Sequence, residues 1–357
     1  MRKMLLLTKT IFISGALLAQ DATTPEAEEK GDLQINGSVD AYYRFNFNHA
    51  KSVQQANNFT SFTNSHNSFE LGMASLKASY TKGKAGVVVD LGFGTRAREF
   101  SYNETGVTQA IKQAYITYAP SEHVKLSAGK WGTHVGYELL DPQLNRNYSM
   151  SYMFSYGPFS HTGLKADFTL GEGFGIMAGV TNPTDYLSAP WNKKFVIGQI
   201  SKTSEKVNLY LNYVGGKDTA EIASSQLGLT ATAKITDKFS LGYDGTVKFV
   251  KAPDVSSQAW WGSALYVNVD PTDKFGITLR GEYFDDKKGV ITNADGSPLL
   301  GTSVVQGTLS FNFKPATGLM IIPEFRIDSA KDPIFTKNSG DGTKSTGTFL
   351  LAAVYSF

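Results

Sequence analysis

From Leu33 to Asn48 the chain alternates without a break. Leu33, Ile35, Gly37, Val39, Ala41, Tyr43, Phe45 and Phe47 share one parity, and Gln34, Asn36, Ser38, Asp40, Tyr42, Arg44, Asn46 and Asn48 share the other. Successive side chains of a β-strand point to opposite faces, so the run predicts one strand with an apolar face and a polar face. Strands of soluble domains are mostly about 5 to 6 residues long. This one is far longer, and it ends in aromatics.

The same alternation recurs to the last residue, in about sixteen segments of which 33–48 is the first and 345–357 the last. Short polar turns such as Thr81–Ala85, Gly171–Gly173 and Thr236–Lys238 alternate with long connections such as 50–65, 97–107, 132–160, 286–302 and 329–344. One rim is trimmed and the other elaborated, which is the asymmetry of outer-membrane barrels with periplasmic turns and external loops. The expected fold is therefore all-β, a transmembrane antiparallel up-and-down β-barrel of about 16 strands. Splitting or merging one hairpin would give about 14 or 18. The second and fourth segments obey the pattern poorly. In the second, Phe69, Leu71 and Met73 give way to Ala74, Leu76, Ala78 and Tyr80, a parity change that predicts a bulge.

Composition fits this fold because a polar inner face cancels an apolar outer one in any average. The 357 residues include 35 glycines and 12% aromatics, and the mean hydropathy is -0.20, which excludes a helical membrane bundle. With no cysteine there is neither a lipid-anchoring thiol nor a disulfide framework. The opening "MRKMLLLTKTIFISGALLA" places Arg2 and Lys3 ahead of an apolar run ending in small residues, the layout of an export signal over 1–19. Residues 20–32 read as a flexible periplasmic N-terminal segment, and 33–357 as the barrel. Without residues 1–19 the chain carries 31 bases (34 less Arg2, Lys3 and Lys9) against 32 acids, a formal charge of -1. No basic excess points to nucleic acid. A soluble β-sandwich also alternates, but it predicts shorter strands and an apolar face turned inward. The final "TFLLAAVYSF" puts Phe349, Leu351, Ala353, Tyr355 and Phe357 on one face and finishes on phenylalanine, an ending like the signal read by the outer-membrane barrel assembly machinery.

A sheet can cross hydrocarbon only when closed on itself, and at about sixteen strands its interior is too wide for side chains to fill. A water-filled channel for small hydrophilic solutes and ions, bounded outside by lipid, is the expected consequence. Inward charges include Asp40, Arg44, Asp90, Arg96, Lys165, Asp167, Lys234, Asp244, Lys248, Arg280, Glu282, Glu324, Arg326 and Asp328. The signs are nearly balanced, which argues against a ring of one charge.

The longest connection, 132–160, is too apolar for a solvated loop, with three tyrosines, two methionines and a phenylalanine between Tyr148 and Tyr156. Loops of such length are usually functional or disordered. Met320, Ile322, Leu350, Ala352 and Val354 offer an apolar landing place on the inner face of the last two segments. This third external loop is accordingly expected to fold inward, narrow the channel, and present Glu138, Asp141 and Arg146 to a passing solute. Staying outside as a cap or subunit contact of a homo-oligomer is the alternative. Arg44, Arg96, Arg280 and Arg326 lie on segments that become neighbours once first and last strands pair; facing acids would make a transverse field. Glu282 and Glu324 complete the expected constriction.

"AYITYAP", "LSAGKWGTHVGYELLDPQLNRNYSMSYMF" and "YGPFSHTGLKADF", together with the phenylalanine ending, resemble the OmpL-like β-barrel porin-2 family of outer-membrane proteins. The resemblance spans about Leu33 to Phe357 and is most specific from Gly129 to Gly163. It implies a passive-diffusion porin of the outer membrane and transfers no catalytic motif.

Three other readings compete. An enzyme would need nucleophile, base and orienting acid together. The five histidines, His49, His66, His123, His134 and His161, are scattered and no G-x-S-x-G elbow occurs, so neither catalysis nor a cofactor is expected. "TNADGS" and "NSGDGT" read as hairpin turns because neither has the spacing of a calcium loop. A sugar-specific channel would stack pyranose rings on Tyr42, Tyr210, Trp260 and Tyr266, and a surface adhesin or scaffold barrel would not conduct.

Overall fold

The computed structural model describes residues 30–51, 56–189, 191–218, 221–293 and 295–357. The expected export signal 1–19 lies outside the described residues, as does the following segment up to residue 29. Gly31–Phe357 forms one compact unit.

Its strands run β1 Asp32–Asn46, β2 Ser68–Lys82, β3 Ala85–Phe93, β4 Ile111–Ser121, β5 Val124–Gly132, β6 Ser160–Gly171, β7 Phe174–Thr181 and β8 Phe195–Thr203. They continue as β9 Val207–Lys217, β10 Ala223–Thr236, β11 Phe239–Lys251, β12 Gln258–Thr272, β13 Phe275–Asp285, β14 Ser303–Ala316 and β15 Leu319–Ala330. A short pair, β16 Phe335–Thr336 and β17 Gly342–Thr343, precedes β18 Ser345–Ser356. Each barrel strand pairs antiparallel with its sequence neighbours, and β1 pairs with β18, closing sixteen strands into a barrel. The seam is extended by the last residue: Gly37 N donates to Phe357 O at 3.1 Å and Phe357 N to Gly37 O at 3.0 Å. Closure leaves no row of unpaired amides, the condition for standing in hydrocarbon.

Burial is inside out relative to a soluble protein. Leu33, Phe69 and Ile327 on the outer parity are more than half exposed, while Asp40, Thr278 and Glu324 on the inner parity are buried. The sandwich is excluded, because its apolar face would be the covered one. Outward rings pair toward the strand ends: Tyr43 with Phe69 and Trp261 with Tyr283 at the long-loop end, and Phe275 with Phe313 at the short-turn end. Aromatic rings favour the two bilayer interfaces.

The predicted bulge of the second strand falls at Gly72, where Asp40 pairs Met73 but Ala41 pairs Leu71. Met73 thereby turns inward and is fully buried instead of sharing the outer face with Phe69 and Leu71. A second irregularity sets Asp90 against Gln113 and Leu91 against Ile111, so Lys112 is the extra residue of β4. Several boundaries differ from expectation, two of them with consequences. Asp32 already belongs to β1, and β3 stops at Phe93, so Arg96 sits on a short helix, α1 Thr95–Phe100, and not on a strand. Gly94, at φ 121°, makes that exit; a Cβ there would lie 2.5 Å from the Gly72 carbonyl oxygen.

Candidate pore constriction

The connection 133–159 begins and ends against itself, Thr133 N donating to Phe159 O at 2.9 Å. Between those points it contacts inward side chains around much of the wall. His134 Nε2 meets the Tyr213 carbonyl at 3.1 Å, and Val135 joins Trp131, Met177, Phe195, Ile197 and Val214 in an apolar cluster on β5, β7, β8 and β9. Tyr137 stacks on Tyr266 with centroids 4.1 Å apart, and its amide donates to Asp244 at 3.2 Å. The ring also lies over Gly242, where a Cβ would sit 2.5 Å from its Cζ. Bare backbone at this inward position makes room for the ring.

Farther along, carboxylates of the wall receive the backbone of the loop. Glu324 accepts from Tyr148 N at 2.8 Å and Ser149 N at 3.1 Å. Glu282 accepts from Tyr152 N and Met153 N, both at 2.9 Å. Those two amides open the short helix α2 Tyr152–Tyr156, where a carboxylate suits the unpaired donors. Tyr148 OH donates to Asp40 and Tyr152 OH to Asp328. The Tyr148 ring packs with Tyr42, Ile322, Leu350, Ala352 and Val354, and Met320 lies at the edge of that cluster.

Arginines complete the clamp from the other sign. Arg280 pairs with Glu138, donates to Ser149 O at 2.8 Å and to Met150 O at 3.3 Å. Arg326 donates to Met150 O at 2.7 Å and pairs with Asp328 on its own strand. Arg96 lies between the Phe62 and Tyr148 rings and donates to Leu140 O at 3.2 Å and Tyr148 O at 3.3 Å. Arg44 holds a different connection, 47–67, through Ala56 O at 3.1 Å and Ser65 O at 2.6 Å. All four guanidinium groups are buried.

This corrects two expectations. The arginines do not face acids across water; they bind carbonyls and, at Arg280 and Arg326, acids in direct contact. Glu138 is likewise buried in its pair and is not presented to a solute. Asp141 and Arg146 are partly open, and both are paired, with Lys112 at 2.5 Å and with Asp270 respectively. Three of the four rings expected to stack sugars are covered as well: Tyr42, Trp260 and Tyr266 are buried, and Tyr210 alone stays half-exposed. Alternation assigns a face to a side chain but says nothing of what lies over it.

Lys112 was absent from the expected constriction. It joins Asp90 at 3.0 Å to Asp141, linking the wall to the tip of the loop. The signal existed in "IKQAY", but the bulge at Lys112 hid its parity. Around this link lie two hollows of about 220 and 270 Å³, both bordered by Lys77, Lys112, Asp141 and Leu144. Free interior beside the loop therefore lies against β2, β3 and β4.

At the root of the loop, burial pushes the His134 imidazole down to about 4, helped by the nearby Lys165 ammonium and opposed by the bond to the Tyr213 carbonyl. Its ordinary value is about 6.5. Between these values the unfolded chain binds a proton that the folded chain refuses, so stability falls as pH drops through that window. The urea midpoint should decline between about pH 7 and about pH 4.5, and His134→Asn should lose part of that decline. An identical decline in the variant would show that the imidazole is not responsible.

A closed sixteen-strand barrel with a lipid-facing apolar coat, a polar interior and a loop laid inside it defines an outer-membrane porin. The family model described as "Putative beta-barrel porin-2, OmpL-like" matches residues 32–357, and the chain belongs to that family. No curated relative matches its sequence. Among solved structures it is similar to an anion-selective porin from Comamonas acidovorans, with TM-score 0.62 and 10% identity over 92% of this chain and 100% of that one. It is also similar to the outer-membrane channel DcaP of Acinetobacter baumannii, with TM-score 0.60 and 12% identity over 92% and 97%. A third similar structure is the trimer form of OmpT from Vibrio cholerae, with TM-score 0.59 and 12% identity over 92% and 99%. At these identities the structural likeness speaks for the fold.

Proposed function

We propose that loop 133–159 sets the bore of this porin and that solutes cross by passive diffusion through the water between the loop and the β2–β4 wall. The observation that carries this reading is the Lys112–Asp141 contact, which joins the loop tip to the wall beside the free space. Glu138, Arg280, Glu282, Glu324, Arg326 and Arg96 hold the loop in place, Arg44 holds connection 47–67, and Asp141 with Arg146 borders the water. Support for diffusion in place of catalysis is the family and the pairing of the polar side chains with one another. Small hydrophilic solutes and ions suit a bore lined by both signs of charge.

The aromatic end at Phe357 fits recognition by the barrel assembly machinery, and its backbone also completes the seam. A homo-oligomer in the membrane accords with the trimeric form of the Vibrio cholerae protein.

Purified full-length protein in planar bilayers should give stepwise ion currents, and liposomes containing it should swell in sugars at rates that decline smoothly with solute mass. Saturation by one sugar would favour a specific channel. Absence of conductance would leave only an adhesin or scaffold barrel.

A further inference from the structure

Some charges toward the short-turn side of the lumen are paired within the protein. Lys165 pairs with Asp167, Lys234 with Asp237, and Arg146 with Asp270. Lys77, Lys274 and Lys314 have no ion-pair partner within 4.0 Å among the described residues.

Two of these lysines stand together. Lys314 N donates to Lys274 O at 2.8 Å, making them direct neighbours where β13 and β14 begin and end. Both border one hollow of about 490 Å³ at the short-turn end, which also takes in Asp273, Gln143, Met320 and Val354. Like charges opposite each other across a sheet repel. Asp273, the adjacent acid, makes no ion pair with either ammonium among the described residues, so no described carboxylate offsets that repulsion by direct contact. A carboxylate relieves it, because its two oxygens accept a charge-assisted bond from each ammonium. Met320 and Val354 give the same hollow an apolar floor, where a short hydrocarbon chain leaves water. Gln143, on the loop, adds an amide.

We propose that this hollow is a docking site for small organic carboxylates on the short-turn side of the constriction. The proposal rests on the porin reading and deepens it by naming a solute class. Anions reaching the bore through the hollow are concentrated there, an effect that salt weakens.

Butyrate is the probe and 1-butanol its uncharged match. Saturation-transfer NMR on the full chain in detergent at low salt should show butyrate bound well above butanol. A Lys274→Gln/Lys314→Gln double variant should weaken butyrate about tenfold or more, as loss of two charge-assisted bonds requires. Both lysines are exposed, so the variant should keep the heat-resistant migration of a folded barrel. In bilayers, butyrate added on the short-turn side should reduce the current of the wild type and not of the variant. Equal binding of butyrate and butanol, or of butyrate to wild type and variant, overturns the site. A protein that binds butyrate as expected but never conducts overturns the pore reading and leaves the site standing.

Discussion

Deleting Gly136–Ser155 should raise single-channel conductance several-fold. The segment fills much of the interior: Tyr148, Met150, Tyr152, Met153 and Phe154 are all buried within it. A sixteen-strand wall without the segment encloses a wide aqueous lumen. The deletion also bares Trp260, Tyr266, Phe284, Ile322 and Leu350 to water. Burial of each such side chain contributes roughly 1.5 to 3 kcal/mol. The shortened barrel should therefore conduct more and unfold at lower urea. Bilayer recordings and urea titration of the same preparation separate the two effects. An unchanged conductance would move the constriction elsewhere, with connection 47–67 the next segment to test.

Replacing Arg280 with methionine should be the most damaging single change inside the lumen. The guanidinium serves Glu138, two loop carbonyls, Gln306 and Thr308. Methionine keeps much of the volume and none of the donors, leaving the Glu138 carboxylate buried and unpaired. Removing one partner of a buried ion pair costs about 3 to 5 kcal/mol. The loop loses its central tie, so the channel should become noisy as well as less stable. Arg280→Lys, which keeps the charge but not the fork, should fall between. A methionine variant with wild-type unfolding and quiet current would show that the loop is held by Glu282, Glu324 and packing alone.

Most of the architecture was legible in the chain because strand alternation is a local property. Leu227, Leu229 and Ala231 face outward against Gln226, Gly228 and Thr230 by the geometry of consecutive residues, and no distant contact is needed to know it. The parity break near Met73 announced a bulge for the same reason. The landing place at Ile322, Leu350, Ala352 and Val354 stood out as an apolar stretch where polar residues belong. Tyr148 packs there.

The constriction was legible only as a set of residues, and its wiring was not. Nothing near Arg280 in sequence says that Glu138, 142 positions away, will meet it. Parity alone puts Arg96 on a strand, although Gly94 ends the strand two residues earlier. Alternation does not bring Lys112 to the lumen, because its bulge reverses the count.

Taken alone, the sequence determined a closed membrane barrel, its strand number to within one hairpin, the outward coat and the inward polar face, because each follows from the two-residue repeat and the turns between repeats. Tertiary structure alone decided that the inward arginines and acids clamp a loop, and that free space is left beside Lys112 and Asp141. Those partners are joined by barrel closure and sheet register, which bring together groups that no local rule relates.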